Sequence, residues 1–135
     1  DDIGISGGNV TADQKPAARE RARANVDAWA AGQRRASRTV YTYYFDRVLP
    51  WPAHPEFGAF HTSEVPYVFN TLAKLDRPWT AADRTVADQV SSYWSNFART
   101  GDPNAPGLPK WPVYDPDAHV TMELGERMGP MPVAR

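Results

Sequence analysis

Histidine stands at three positions in the 135-residue chain, 54, 61 and 119. Only His61 has a setting suited to proton transfer. It lies in Gly58-Ala59-Phe60-His61-Thr62-Ser63-Glu64-Val65-Pro66-Tyr67-Val68-Phe69, a glycine-containing loop followed by a carboxylate and an aromatic segment. An imidazole titrates near neutral pH, so it can take a proton from a hydroxyl and later return it to a leaving group. A lone histidine is more often structural than catalytic. What favours chemistry is its place on a loop beyond a strand, where functional groups gather in mostly parallel sheets. Glu64 either orients this loop or is a plain surface glutamate. His54, in a proline-rich loop, has no role assigned from sequence, and His119 reads as a surface residue. No two histidines stand at metal-ligand spacing and no HExxH is present. Cysteine is absent, so there is no thiolate ligand and no disulfide. Neither a metal nor a cofactor is expected.

A nucleophile is harder to find. Gly4-Ile5-Ser6-Gly7-Gly8 fits G-x-S-x-G by letter, but only three residues precede Gly4. No strand can then present Ser6 in the strained turn that exposes such a serine. Ser6 is therefore not read as the nucleophile, nor Gly7 and Gly8 as an oxyanion loop.

The elements that would position His61 are legible from periodicity. Pro16 suits a first helical turn, Thr11 and Gln14 have capping-box spacing, and a helix is expected over 16–31. Ala18, Ala22, Val26, Trp29 and Ala30 share one face of it, and Gly32 offers a stop. Residues 39–48 are β-branched or aromatic almost throughout, which predicts a strand buried on both faces. Pro50, Trp51, Pro52 and Pro55 impose a long irregular loop, and residues 64–69 a short helical turn. Thr80 and Asp83 have capping chemistry, and Val86, Val90, Tyr93, Trp94 and Phe97 step at helical intervals up to Gly101. Val120, Met122 and Leu124 alternate as a final short strand. The alternation of helix and strand predicts an α/β class.

Composition narrows the function. Fifteen Lys and Arg against sixteen Asp and Glu leave a net charge of −1, which gives no argument for nucleic acid, since that needs a concentrated basic face. The Arg34, Arg35 and Arg38 group has no stacking aromatics beside it and reads as a solvated connector. No apolar run approaches the length of a membrane span. Five Trp, six Tyr and five Phe accompany thirteen Pro. So much aromatic surface on a loop-rich chain suggests contact with something larger, or a compact aromatic core of its own. The chain begins at Asp1 rather than Met, as a processed or partial product would.

Four blocks resemble the C-terminal part of type-B carboxylesterases, the cholinesterase-like branch of the α/β-hydrolases. They are Val40-Tyr41-Thr42-Tyr43-Tyr44-Phe45, the His61 block, Tyr93-Trp94-Ser95-Asn96-Phe97-Ala98-Arg99-Thr100-Gly101-Asp102-Pro103-Asn104, and Trp111-Pro112-Val113-Tyr114. They occur in the family's order over roughly residues 20–125.

The resemblance implies the C-terminal part of an α/β-hydrolase fold, a mostly parallel sheet flanked by helices. Residues 1–135 would be one segment of a single domain whose nucleophile-bearing part lies elsewhere. It implies hydrolysis of a small-molecule ester by a serine nucleophile, with His61 as the base and Trp51, Phe57 and Phe60 bordering a substrate pocket or simply packing. The serine would come from a missing segment or a companion chain. Asp1-Asp2-Ile3-Gly4 is similar to the family's N-x-D-E-G-like stretch and implies Asp2 as the acid, although Asp2 stands closer to His61 than the family shows. A polar terminus is the other reading of Asp1 and Asp2. Two further classes stay open: a non-catalytic cholinesterase-like adhesion module, which would not need His61, and a self-contained interaction domain using exposed aromatics.

Overall fold

The computed structural model describes residues 15–132. Asp2, Ser6 and the Thr11–Gln14 spacing lie outside them.

The helix that organises the core is built by its ends and its stripe. Thr80 is an extended N-cap whose hydroxyl accepts from the Asp83 amide, while the Asp83 carboxylate accepts from the Thr80 amide. This reciprocal box satisfies two amides that the first helical turn leaves open. Helix α3 (Ala81–Thr100) follows. Gly101 ends it at φ 76, a left-handed conformation that glycine adopts without a Cβ clash. The stripe Val86, Ala87, Val90 and Tyr93 is buried against Leu49, Tyr67, Leu72, Trp111, Met122 and Leu124. Each such large apolar side chain contributes about 1.5–3 kcal/mol of burial.

The sheet has three strands among the described residues, in order β1 (Tyr43–Phe45), β2 (Val120–Leu124), β3 (Met128–Pro132). The β1–β2 pair is parallel, with Tyr43 opposite Met122 and Phe45 opposite Leu124. A parallel pair needs a long crossover. Here it includes the short helix α2 (Val65–Val68) and α3. The β2–β3 pair is antiparallel, so the sheet seen is mixed.

Three expectations are corrected. The strand expected over 39–48 is regular for only three residues, although Thr42 still accepts from the Met122 amide at 3.1 Å and Val40 from Tyr114 at 2.8 Å. It is not buried on both faces: Tyr43 and Tyr44 are 41% and 49% exposed, Tyr43 even with Trp94 edge-on at 5.3 Å and Trp111 at 6.1 Å. Helix α1 (Lys15–Arg35) runs through Gly32 rather than stopping there. Of its apolar face Ala30 is buried, while Val26 and Trp29 stand 48% and 59% exposed. Strand β3 was not expected, since Gly129, Pro130 and Pro132 break the usual pattern. Proline cannot donate to a ladder, but among the described residues β3 pairs with β2 along one side only, where an edge strand tolerates it.

Residues 100–104, so distinctive in the sequence, are structural. The Asp102 carboxylate accepts from the Asn104 amide at 2.9 Å. Asn104 then grips Trp111 like a strand partner, accepting from its amide at 2.8 Å and donating to its carbonyl at 3.1 Å. The Trp111 indole donates to the Thr42 carbonyl at 3.0 Å and meets Tyr41, Tyr43 and Tyr93 edge-on. This loop thereby ties the end of α3 to the strand leading towards His61.

Candidate active site

His61 sits on the connection beyond the C-terminal end of β1, as expected of a functional loop in a parallel pair. The connection is shaped by local constraints. A one-turn 3₁₀ helix, Pro55–Phe57, starts on a proline and ends at Gly58, whose φ of 57 and ψ of −139 suit glycine alone. Past His61, Thr62 takes φ 70, rare for a β-branched residue. The Ser63 amide donates to Phe60 at 3.0 Å and the Val65 amide to Thr62 at 3.1 Å, which closes the loop into consecutive turns. Helix α2 begins at once, with Pro66 in its first turn. The result is an imidazole held out on the surface of a tightly wound loop. His61 is exposed, and its ring has no hydrogen-bond partner among the described residues.

On one side of the loop lies an aromatic group. Trp51 meets Phe57 at 5.4 Å and Phe60 at 6.3 Å, and the Arg77 guanidinium lies over the Trp51 ring at 4.1 Å. His54, without a role in the sequence reading, stacks on Phe57 at 5.1 Å and contacts Glu56 through Nδ1 at 3.1 Å. Its place is in this wall. Phe57 remains half exposed, so the wall presents apolar surface beside His61.

The segment after His61 also joins a polar cluster, centred on buried Asp83, that the sequence did not reveal. Arg47, two residues past β1, donates through Nε to Asp83 at 2.9 Å and through Nη1 to Glu126 at 3.0 Å. Tyr67 of α2 donates its hydroxyl to the same Asp83 oxygen at 3.0 Å. Burial alone would raise the Asp83 carboxyl, but hydrogen bonds from Thr80, Arg47 and Tyr67 outweigh it and hold the group below the usual carboxylate range. The Tyr67 hydroxyl is pushed well up, by burial first and by Asp83 second. Only the Thr80–Asp83 half was visible in the sequence; Arg47 is 36 residues from Asp83 and no local spacing joins them. Neighbouring Asp46 is raised, chiefly by burial.

A separate cavity lies elsewhere. About 270 Å³ opens between α1, β1 and α3, lined by Trp29, Tyr41, Tyr43, Trp94, Phe97 and Trp111 among others, and His61 does not line it. No group of three His, Asp or Glu residues could hold a metal ion among the described residues. Nor is any described helix long and apolar enough to cross a membrane.

Comparison with known proteins gives this geometry its setting. The Carboxylesterase family profile matches residues 20–133. Acylcarnitine hydrolase of Rattus norvegicus is 39% identical over 93 residues, 62% of this chain and 16% of that protein. Bile salt-activated lipase of Bos taurus is 35% identical over 96 residues, 68% of this chain and 16% of that protein. Acetylcholinesterase of Gallus gallus is 36% identical over 104 residues, 73% of this chain and 13% of that protein. The matched part thus spans about a sixth or less of the length of these curated relatives. With a match whose range takes in the β1 strand, the His61 loop, α3 and the Trp111 clamp, the chain belongs to the carboxylesterase family.

Proposed function

We propose that this chain supplies the general-base histidine of a serine carboxylic ester hydrolase, and that the nucleophile comes from polypeptide outside residues 1–135. The observation that carries the reading is His61 itself: an exposed imidazole on a wound loop beyond the end of a parallel strand, in a chain of the carboxylesterase family. The relatives' names are those of ester-cleaving enzymes, and a small-molecule ester is the substrate class proposed here.

In this reading residues 1–135 are the C-terminal segment of one α/β-hydrolase domain. The far side of β1 carries no strand among the described residues. A further parallel strand from the nucleophile-bearing polypeptide would extend the sheet there. His61 takes the serine proton as the hydroxyl oxygen attacks the ester carbonyl, and gives it to the departing alcohol. Water then enters by the same route and releases the acid. Backbone amides of the companion polypeptide hold the oxyanion. Asp2, or an acid from that polypeptide, orients the imidazole. The apolar wall of Trp51, Phe57 and Phe60 borders the acyl or alcohol group.

The test is hydrolysis of a p-nitrophenyl ester by purified residues 1–135. The expected result is no turnover by the chain alone. Rapid turnover abolished by Ser6→Ala would overturn the reading.

A further inference from the structure

We infer that Asp83 is a positioning residue: through the Tyr67 hydroxyl its carboxylate holds the loop bearing His61 against the end of β1. The inference rests on the proposed role of His61 and adds the residue that keeps it in place.

Asp83 does more than cap α3. Its Oδ2 takes both cap contacts, from the Thr80 amide at 2.8 Å and the Thr80 hydroxyl at 2.6 Å. That completes a capping box. Oδ1 is left over, and it accepts instead from Arg47 Nε at 2.9 Å and the Tyr67 hydroxyl at 3.0 Å. These two donors belong to the elements that flank His61. Arg47 closes β1; Tyr67 stands six residues after His61 in α2. One carboxylate, 1% exposed, therefore joins strand end, loop helix and α3.

Helix α2 needs such an anchor. It has four residues, far too few to be stable alone. Its buried ring Tyr67 packs against Phe45 at 5.4 Å and Trp79 at 5.8 Å, which fixes the ring but leaves a phenol hydroxyl to be satisfied inside the protein. A charged acceptor makes that hydrogen bond stronger than a neutral one would. From Tyr67 back to His61 the chain is linked turn by turn, through Tyr67 to Glu64, Val65 to Thr62 and Ser63 to Phe60. A shift of α2 is thereby passed to His61. Apolar packing of Tyr67 and Val68 also meets α3, but the other hydrogen bond from this segment to it among the described residues, Asn70 to Asp88 at 3.0 Å, is exposed and contributes little.

Tyr67→Phe tests this in the full chain, because it removes one oxygen and leaves the ring, the cap and the Arg47 pair. Amide hydrogen exchange at Ser63 and Val65 is compared with exchange at Val90 in mid-α3, and the His61 ring signals are followed by NMR. The expected result is exchange at Ser63 and Val65 faster by about tenfold or more, beyond any change at Val90, with the His61 ring signals broadened or split. Asn70→Ala should leave Ser63 and Val65 protected relative to Val90. Unchanged protection at Ser63 and Val65 in Tyr67→Phe, or an equal loss at Val90, would overturn the inference. Exchange is read without turnover, so this outcome is separate from that of the ester-hydrolysis test.

Discussion

Gly125 lies hard against the backbone of Arg47: a Cβ at position 125 would stand 2.7 Å from the Arg47 amide nitrogen. It would also stand 1.8 Å from Asp46 Oδ1, but a carboxylate end can rotate away and a backbone nitrogen cannot. The strand end that carries Arg47 thus closes over a residue without a side chain. Gly125→Ala is expected to destabilise the fold by about 1–3 kcal/mol, the range of overpacking in a well-filled core. Urea denaturation read by tryptophan fluorescence checks this. A change under about 0.5 kcal/mol would show that the contact yields freely.

Thr62 holds φ 70 immediately after His61. A β-branched residue there carries strain on the order of 1–3 kcal/mol. Asparagine tolerates this conformation better. Thr62→Asn should therefore raise stability by about 1 kcal/mol, measured by the same denaturation. Loss of stability would place the strain elsewhere.

Buried Asp83 and half-buried Asp46 predict opposite pH responses. The Asp83 carboxyl is held below its unfolded value, so the stability it confers is present above the ordinary carboxylate range and is lost as pH falls through its depressed folded value. Asp46 is raised, so its contribution runs the other way: the fold gains from its protonation, and its ionisation costs stability at neutral pH. Asp83→Asn should flatten the acid side of the stability–pH curve. Asp46→Asn should increase stability at pH 7, since an amide oxygen can still accept from the Glu126 amide. Denaturation midpoints from pH 3 to 8 distinguish the two.

Asn104 substitutes for a strand partner of Trp111, with one bond to its amide and one to its carbonyl. Asn104→Ala leaves both without that partner, and each stranded buried polar group costs about 1–3 kcal/mol. The expected loss is about 2–4 kcal/mol by thermal or urea unfolding. Turnover by whatever enzyme remains folded should be unaltered, because this clamp organises the aromatic core and touches no reacting group.

Some of this architecture is plain in the sequence for a physical reason. Helix α3 carries its own boundaries, a reciprocal box at Thr80 and Asp83 and a left-handed glycine at 101, together with an apolar stripe of the right period. Local signals of that kind need no knowledge of the rest of the chain. Strand β1 is different. Its aromatic run reads as doubly buried, yet Tyr43 and Tyr44 are exposed, since burial depends on what packs outside and not on residue type. Strand β3 hides behind two prolines that an edge position tolerates. The His61 loop was legible from glycine, histidine and a following aromatic segment. Its support by Arg47, Tyr67 and Asp83 was not, because those residues meet only through the tertiary fold. Asp2 lies outside the described residues, and its role as the acid remains part of the proposal.

The central claim is that the His61 imidazole moves the proton during ester cleavage. The decisive measurement is the turnover of a p-nitrophenyl ester by this chain assembled with the proposed nucleophile-bearing polypeptide, parent against His61→Gln. The side chain is exposed, so the substitution should leave the unfolding midpoint in place while kcat falls at least about a hundredfold. A folded His61→Gln enzyme that keeps its kcat would contradict the account.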